Sequence, residues 1–183
     1  MQEFGFAHLS AGDLLREERD TPGSQFGELI EWHIKEGVII PVGITCSLLE
    51  KAMNKKMQAV NGSSSGDAPQ AVRKFLIDGF PRNQDNYEGW EKQMEGKVKV
   101  HFVLYFDCPE EICMNRCLSR GAAGSGRVDD NEESIRKRMK VFEVDTWPIV
   151  KLYQERGQVE VVDGALDPDQ VYLKVKEIFS RFK

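Results

Sequence analysis

The 183-residue sequence has no long apolar run and no excess of positive charge. No apolar run approaches the roughly 20 residues that a membrane-spanning helix needs, and the polar N-terminus lacks the apolar segment of a signal peptide. Membrane and secreted proteins are therefore disfavoured. The formal net charge of −5 also disfavours a general nucleic-acid binder, because such domains are usually basic. The hydrophobic fraction of 40% fits one folded domain with a sizeable core.

Cysteine is scarce, with four residues in the chain. Without a secretory signal we expect Cys46, Cys108, Cys113 and Cys117 to be reduced thiols. Cys113 and Cys117 lie one helical turn apart and could bind a metal together with Cys108. Their spacing is not that of a zinc knuckle, and free cysteine often serves as a small buried apolar residue. A packing role is therefore favoured over a metal site.

Short apolar runs alternate with helical patterns, which predicts an α/β fold with a doubly wound parallel sheet and helices on both faces. The predicted strands span residues 4–9, 75–77, 98–106 and 158–162. The predicted helices begin at Ser10, which is a suitable N-cap, and continue with residues 24–36, 44–57, 84–94, 109–119, 131–142, 146–156 and 167–182.

A Gly- and Ser-rich segment covers residues 59–72 and is predicted to be a flexible surface loop. Such loops can cradle phosphates, but this one is not followed by Gly-Lys-Ser/Thr and does not join a strand to a helix. A phosphate-binding role for this loop is therefore disfavoured.

The most informative stretch is Asp-Gly-Phe-Pro-Arg at residues 78–82, which directly follows the apolar strand 75–77. Ligands of open α/β sheets bind outside the carboxyl ends of the strands. There Asp78 can face a hydrated magnesium ion, and Arg82 can bind a phosphate with both arms of its guanidinium. The plainer interpretation is a strand, a turn and a surface ion pair.

This stretch resembles the Asp-Gly-Phe-Pro-Arg signature of nucleoside monophosphate kinases, and the Asn-Gln-Asp-Asn at 83–86 is similar to the UMP-CMP kinase branch of that family. The resemblance runs from about Phe4 to Phe182. It implies ATP and Mg²⁺ as cofactors and small nucleotides as partners. It further implies a monomer located in the cytoplasm, with the nucleus as a second location. It assigns residues of about 10–58 to a mobile acceptor domain and about 120–130 to a short lid.

The resemblance also implies roles for individual residues. Asn86 and Ala11 match the pyrimidine-specific branch, where UMP, CMP and dCMP are acceptors. The implied catalytic residues are Arg82, Arg120, Arg127, Arg138, Asp129 and Asp130. The implied acceptor-binding residues are Arg16, Val38, Ile39, Ile40, Gly79, Phe80, Pro81, Arg82, Asn86, Arg127 and Arg138. The implied donor-binding residues are Arg120 and Leu166, and Asp78 would hold the metal through water.

One family feature is missing. Members begin with a strand, a Gly-x-Pro-Gly-x-Gly-Lys-Gly-Thr loop and a helix, and no such motif occurs in residues 1–183. We expect the central strand and the donor-phosphate loop to be absent, about two dozen residues in a strand-loop-helix unit. Three hypotheses stay open: a UMP-CMP kinase, either active or impaired, a non-catalytic nucleotide-binding protein, and an adenylate kinase.

Overall fold

The computed structural model describes residues 2–58 and 73–182, and in these residues four short strands are surrounded by eight α-helices. A 3-10 turn at Gln2–Phe4 comes first, and a π-helical turn at Phe142–Thr146 joins α6 to α7. The elements in chain order are β1 (Phe6–Ser10), α1 (Ala11–Asp20), α2 (Gly27–Glu36), α3 (Val42–Gln58), β2 (Lys74–Asp78), α4 (Gln84–Met94), β3 (Val103–Asp107), α5 (Glu110–Ala122), α6 (Glu132–Val141), α7 (Trp147–Glu155), β4 (Val159–Asp163) and α8 (Pro168–Ser180).

The Gly- and Ser-rich segment predicted at 59–72 lies outside the described residues. The predicted acceptor domain of about 10–58 corresponds to α1, α2 and α3, and its mobility stays a prediction. Within residues 2–58 and 73–182, no helix combines the length and the apolar character that crossing a bilayer requires.

All four strands pair in parallel, which confirms the predicted α/β class. β1 pairs with β2, so that Ser10 lies opposite Asp78 at the carboxyl ends of the two strands. β3 pairs with β4, so that Asp107 lies opposite Asp163. This register brings the ends of β1 and β2 together at the edge where the sequence predicts the ligand site.

The two strand pairs form separate two-stranded sheets. Among the described strands, β2 and β3 are not hydrogen-bonded to each other, and each strand has one partner only. The sequence predicts this gap, because the strand that the family places between them has no counterpart in residues 1–183.

Helix α8 joins the two sheets through an aromatic core. Phe179, which is 1% exposed, packs against Phe6 of β1 with ring centroids 5.1 Å apart and against Phe102 at 5.5 Å. Leu76 of β2 and Leu104 of β3 belong to the same apolar cluster. The two sheets therefore share side-chain packing although they share no backbone hydrogen bonds.

The predicted inward packing of Trp90 is confirmed, because Trp90 is 6% exposed. It lies in a cluster with Leu9 of β1, Leu49 and Met53 of α3, and Met94 of α4. This cluster fixes α3 and α4 against the sheet β1–β2, directly below the predicted ligand site.

The predicted strand 98–106 is too long, because the observed strand β3 begins at Val103. Its partner β4 begins at Val159, opposite Val103, so the preceding residues have no strand to pair with. Val98 instead packs against the α3–α4 cluster and Phe102 against α8. Apolar character at these positions reflects side-chain burial without strand pairing.

Candidate active site

A cavity of about 1070 Å³ opens at the carboxyl ends of β1, β2 and β3, between α1, α2 and α6. Twelve of the residues predicted for the site line it: Arg16, Val38, Ile39, Ile40, Asp78, Gly79, Phe80, Arg82, Asn86, Arg127, Asp129 and Arg138. Four predicted residues are not part of its lining: Pro81, Arg120, Asp130 and Leu166. Residues scattered over most of the sequence therefore converge on one concave surface.

Arg16 lies on helix α1 and lines this cavity. Ser10 caps the helix by accepting a hydrogen bond from the Asp13 N–H at 3.3 Å. The Asp13 carboxylate binds Arg16 and also lies 3.6 Å from Nη2 of Arg127. The hydrogen bond from Arg16 lowers the pKa of Asp13. Asp13 thus links α1 to the loop that precedes α6, a contact between residues remote in sequence.

The loop after β2 fixes Arg82. Gly79 has φ +72°, and a Cβ atom at that position would lie 3.0 Å from Nη2 of Arg82, so glycine leaves room for the guanidinium. Arg82 Nε donates to the Gly79 carbonyl at 2.7 Å. The Arg82 N–H donates to Oδ1 of Asn86 at 3.3 Å, and the Thr146 hydroxyl donates to the Arg82 carbonyl at 2.7 Å.

Arg82 is not in direct contact with a carboxylate in the described part of the chain. Arg82 is exposed to solvent and lines the cavity. Desolvation by the surrounding protein atoms lowers the pKa of its guanidinium, and the positive charges of Arg138 and Arg16 also lower it, whereas the carboxylates of Asp78 and Asp129 act in the opposite direction. No ion pair within 4 Å joins Arg82 to a carboxylate in the described part of the chain. The floor of the cavity is therefore a site for an anion.

Arg138 reaches the cavity from α6 and pairs with Asp129 of the lid, with Nη1 2.9 Å from Oδ2. Arg120 and Asp130 form a second pair that joins α5 to the lid, with Nε 2.9 Å from Oδ2. The Asp130 side chain is 1% exposed, and its hydrogen bond with Arg120 lowers its pKa to about 2. The structure thus places Arg120 and Asp130 in a contact between α5 and the lid, away from the cavity lining.

The close approach of α5 and the lid depends on a glycine. A Cβ atom at Gly121 would lie 2.7 Å from the Asp130 carbonyl oxygen, a distance that the backbone cannot accept without moving. Gly121 therefore allows the Arg120–Asp130 pair to form.

The predicted base pocket contains Asn86, which is 3% exposed, and the segment Val38–Ile40. Asn83 caps α4 by accepting from the Asn86 N–H at 2.8 Å, and this cap orients the first helical turn. Because Oδ1 of Asn86 accepts from Arg82, its amide nitrogen is the group left to donate to a ligand. In the described residues, no acceptor is hydrogen-bonded to that nitrogen.

Asp78 lies at the rim with half of its side chain exposed, and its Oδ2 is 2.6 Å from Nε2 of His8. The part of the chain that the structure describes holds no cluster of three or more His, Cys, Asp or Glu side chains suited to a metal. Mg²⁺ keeps several water ligands and commonly uses one or two carboxylates together with phosphates. A single exposed carboxylate fits such a water-mediated role, and Asp78 is the residue that would hold the ion.

Three of the cysteines, Cys108, Cys113 and Cys117, also line the cavity and are free thiols. Burial raises the pKa of Cys113 to about 11, and a hydrogen bond with Cys108 contributes to the shift. A thiol with so high a pKa stays protonated at neutral pH and is a weak nucleophile. The redox state of these thiols stays a prediction.

Four residues of structural importance were not assigned a role from the sequence: His8, Asp13, Arg116 and Thr146. Arg116 donates to the carbonyl of Gly164 and, at 3.5 Å, to that of Leu166, and so holds the loop after β4. His8 reaches Asp78 only because of the parallel register between β1 and β2. No local sequence pattern indicates either contact.

Comparison with known proteins gives the family. The family model described as "Adenylate kinase" matches residues 1–158. The chain belongs to the adenylate kinase family. Within this family it is similar to the UMP-CMP kinase of Gallus gallus, at 53% identity over 181 residues that cover 99% of this chain and 87% of the relative. The UMP-CMP kinases of Xenopus tropicalis and Homo sapiens show 52% and 51% identity with the same coverage.

Proposed function

We propose that this adenylate kinase family member transfers a phosphoryl group from ATP to UMP and CMP, with dCMP as a further acceptor. The observation that carries the proposal is the unpaired Arg82 at the floor of the cavity, beside Asn86. Arg16 and Arg138 lie close enough to lower the pKa of Arg82, so three arginine side chains converge on one site that suits an anion. Phosphoryl transfer depends mostly on such positioning and charge stabilisation.

The preference for a pyrimidine base is supported by the relatives, and Asn86 supplies a donor for the base. The free amide of Asn86 can donate to a carbonyl or ring nitrogen of the base, next to the anion site that would hold the phosphate. Three relatives with 51–53% identity are UMP-CMP kinases. The amide donor also suits a ring nitrogen of adenine, so the relatives are the observation that favours UMP and CMP over AMP.

On the donor side, Mg²⁺ would neutralise charge on the donor phosphates when bound. Asp78 would orient water on the ion, and Arg127 and Arg138 would hold the negative charge of the reacting groups from the lid side. Arg120 and Leu166 remain candidates for donor contacts near α5 and the loop after β4. We also propose that the protein acts as a monomer in the cytoplasm, with the nucleus as a second location.

A second candidate function is nucleotide binding without turnover. Two observations favour it: residues 1–183 contain no Gly-x-x-x-x-Gly-Lys-Ser/Thr loop, and β2 and β3 are unpaired with each other in the described chain. Donor phosphates are normally fixed by backbone amides of such a loop. The acceptor site could remain functional without it.

The test combines calorimetric titration of CMP, UMP and AMP with a coupled turnover assay that supplies ATP and Mg²⁺. Turnover of CMP and UMP supports the kinase, whereas binding without turnover supports the second candidate. Preference for AMP would indicate an adenylate kinase. Arg82→Lys should weaken CMP binding, because lysine keeps the charge but loses the two-armed geometry.

The matched control is Arg181→Lys, which alters an exposed arginine that pairs with Glu160 far from the cavity. We expect it to leave CMP affinity unchanged. Failure of the wild-type chain to bind any of the three nucleotides would overturn the proposed acceptor site.

A further inference from the structure

Thr146 occupies the N-cap position of α7 but does not cap it. Serine and threonine at this position usually accept a hydrogen bond from an N–H in the first helical turn, yet the Thr146 side chain makes no such bond. Its hydroxyl instead donates to the Arg82 carbonyl at 2.7 Å, across 64 residues of sequence. We propose that Thr146 is a positioning residue that sets Arg82 for the acceptor phosphate, an inference that rests on the proposed function.

The hydrogen bonds of Arg82 show what Thr146 adds. The Arg82 N–H is bound to Asn86, and its Nε is bound to the Gly79 carbonyl. With Thr146 on its carbonyl, both backbone polar groups and the inner guanidinium nitrogen are fixed. The two terminal nitrogens are left for a ligand, and they can bind two phosphate oxygens at once. The hydrogen bond from Thr146 joins the Arg82 loop to the helical segment that begins with α6, which carries Arg138.

The π-helical turn explains how Thr146 and Arg138 reach the same cavity. In an α-helix, each residue turns the chain by about 100°, so a separation of eight residues would leave the two side chains about 80° apart. A π-helical turn accommodates one extra residue, and the Trp147 N–H bonds to the Phe142 carbonyl, five residues earlier. The eight residues from Arg138 to Thr146 then rotate around the helix axis by about as much as seven α-helical residues would. The angle between the two side chains therefore falls to about 20°. Both side chains line the cavity.

The backbone N–H groups at the start of α7 do not need the Thr146 hydroxyl as a hydrogen-bond partner. Because α6, the π-helical turn and α7 are continuous, the first amides of α7 have carbonyl partners in the preceding turn. The Thr146 side chain is therefore not needed as a cap and is available to Arg82.

The test compares four variants of the full chain. Thr146→Val has nearly the same shape without the hydroxyl, and Thr146→Ser restores it. Thr21→Val is the matched control, since the Thr21 hydroxyl also donates to a carbonyl, that of Glu17 at 2.8 Å, away from the cavity. Arg82→Lys tests the phosphate site itself. Each variant is titrated with CMP by calorimetry and with cytidine, which lacks the phosphate, by NMR.

We expect Thr146→Val to weaken CMP binding by about fivefold, as the loss of one hydrogen bond implies, with cytidine binding unchanged. Thr146→Ser should stay within about twofold of wild type, and Thr21→Val should match wild type. Because a merely structural role would weaken both ligands alike, an equal loss for CMP and cytidine would overturn the inference. If Thr146→Val does not fold, Thr146→Ala carries the same expectation.

The outcomes also separate this inference from the proposed function. Weaker CMP binding in Arg82→Lys together with unchanged binding in Thr146→Val would overturn the role of Thr146 and leave the phosphate site intact. Unchanged binding in Arg82→Lys, or no CMP binding by the wild-type chain, would overturn the phosphate site and with it the positioning role.

Discussion

Arg82 and Asn86 share one hydrogen bond, and that bond couples the proposed phosphate site to the proposed base site. Oδ1 of Asn86 accepts from the Arg82 N–H at 3.3 Å, so the same side chain supports the arginine and presents its amide to the cavity. A change at Asn86 should therefore have two effects: one common to all nucleotides and one confined to those whose base it contacts.

We expect Asn86→Ala to weaken CMP and UMP binding by about 1–3 kcal/mol more than AMP binding, because a buried polar edge of the pyrimidine loses its partner. The smaller loss of binding free energy for AMP would measure the contribution of the hydrogen bond between Asn86 and Arg82, which all three nucleotides share. Calorimetric titration of the three nucleotides measures both parts. Gln84→Ala, in the same helix and paired only with Glu88, is the control, and equal losses for all three nucleotides would show that Asn86 does not read the base.

Single residues were predictable where a local motif specifies them. Asp78, Gly79 and Arg82 belong to one compact motif after a strand, and the general rule for α/β sheets places such residues at the ligand edge. Asp13 and Thr146 were not predictable as site residues, because their partners Arg127 and Arg82 are remote in sequence. Only the packing of α6 and α7 against the sheet edge brings these pairs together.

At the scale of elements, capping signals decided which boundaries could be predicted. The helix α4 spans Gln84–Met94 as predicted, because Asn83 is a strong N-cap and Pro81 disfavours an earlier start. The π-helical turn left no signal in the sequence, since it arises from one extra residue in a continuous helix. β3 was shorter than predicted, because strand length depends on the partner strand as well as on apolar character.

The ion pair between Arg120 and Asp130 should make the free energy of unfolding depend on pH. The folded-state pKa of Asp130 is lowered to about 2, below its ordinary value near 3.9. The unfolded state therefore binds more protons between these values, so the contribution of Asp130 is present above about pH 4 and is lost as the pH falls toward 2.

We accordingly expect Asp130→Asn to lower the free energy of unfolding by about 2 kcal/mol at pH 7, the typical worth of a hydrogen bond to a charged group. The difference from wild type should shrink as the pH falls below 4. Urea unfolding curves of both proteins from pH 7 to pH 3 measure it. A difference that stays constant over this range would contradict the assigned role.

At the scale of the whole molecule, the chain consists of two small parallel sheets held together by helix α8. The packing of Phe179 against Phe6 and Phe102 supplies much of this connection. Each described strand has one edge without a strand partner, and unpaired backbone groups are costly where they are buried. We therefore expect low stability for the chain as it stands.

We expect a strand, a Walker A loop and a helix fused ahead of Met1 to raise both stability and CMP turnover. The strand can pair with the free edges of β2 and β3, and the loop can fix the donor phosphates, a positioning effect on the order of a thousandfold or more in rate. The midpoint of urea unfolding measures the gain in stability, and the coupled assay measures the gain in CMP turnover.

A fusion in which the loop lysine is replaced by alanine is the control, because it should gain stability without gaining turnover. CMP turnover by the unfused chain at the rate of the fused one would overturn the prediction, and would mean that another segment binds the donor phosphates.

The pairing of the cavity arginines has a consequence for the effect of ionic strength. Arg16 and Arg127 share the single carboxylate of Asp13, and Arg138 lies against Asp129, so two carboxylates compensate two of these three positive charges before a phosphate arrives. Arg82 is the cation in this group without a carboxylate within 4 Å. Added salt screens the attraction between exposed charges, and a cation already paired with a carboxylate adds little net attraction for salt to weaken. CMP affinity should therefore fall with rising potassium chloride about as steeply as for two exposed cations, and less steeply than for four.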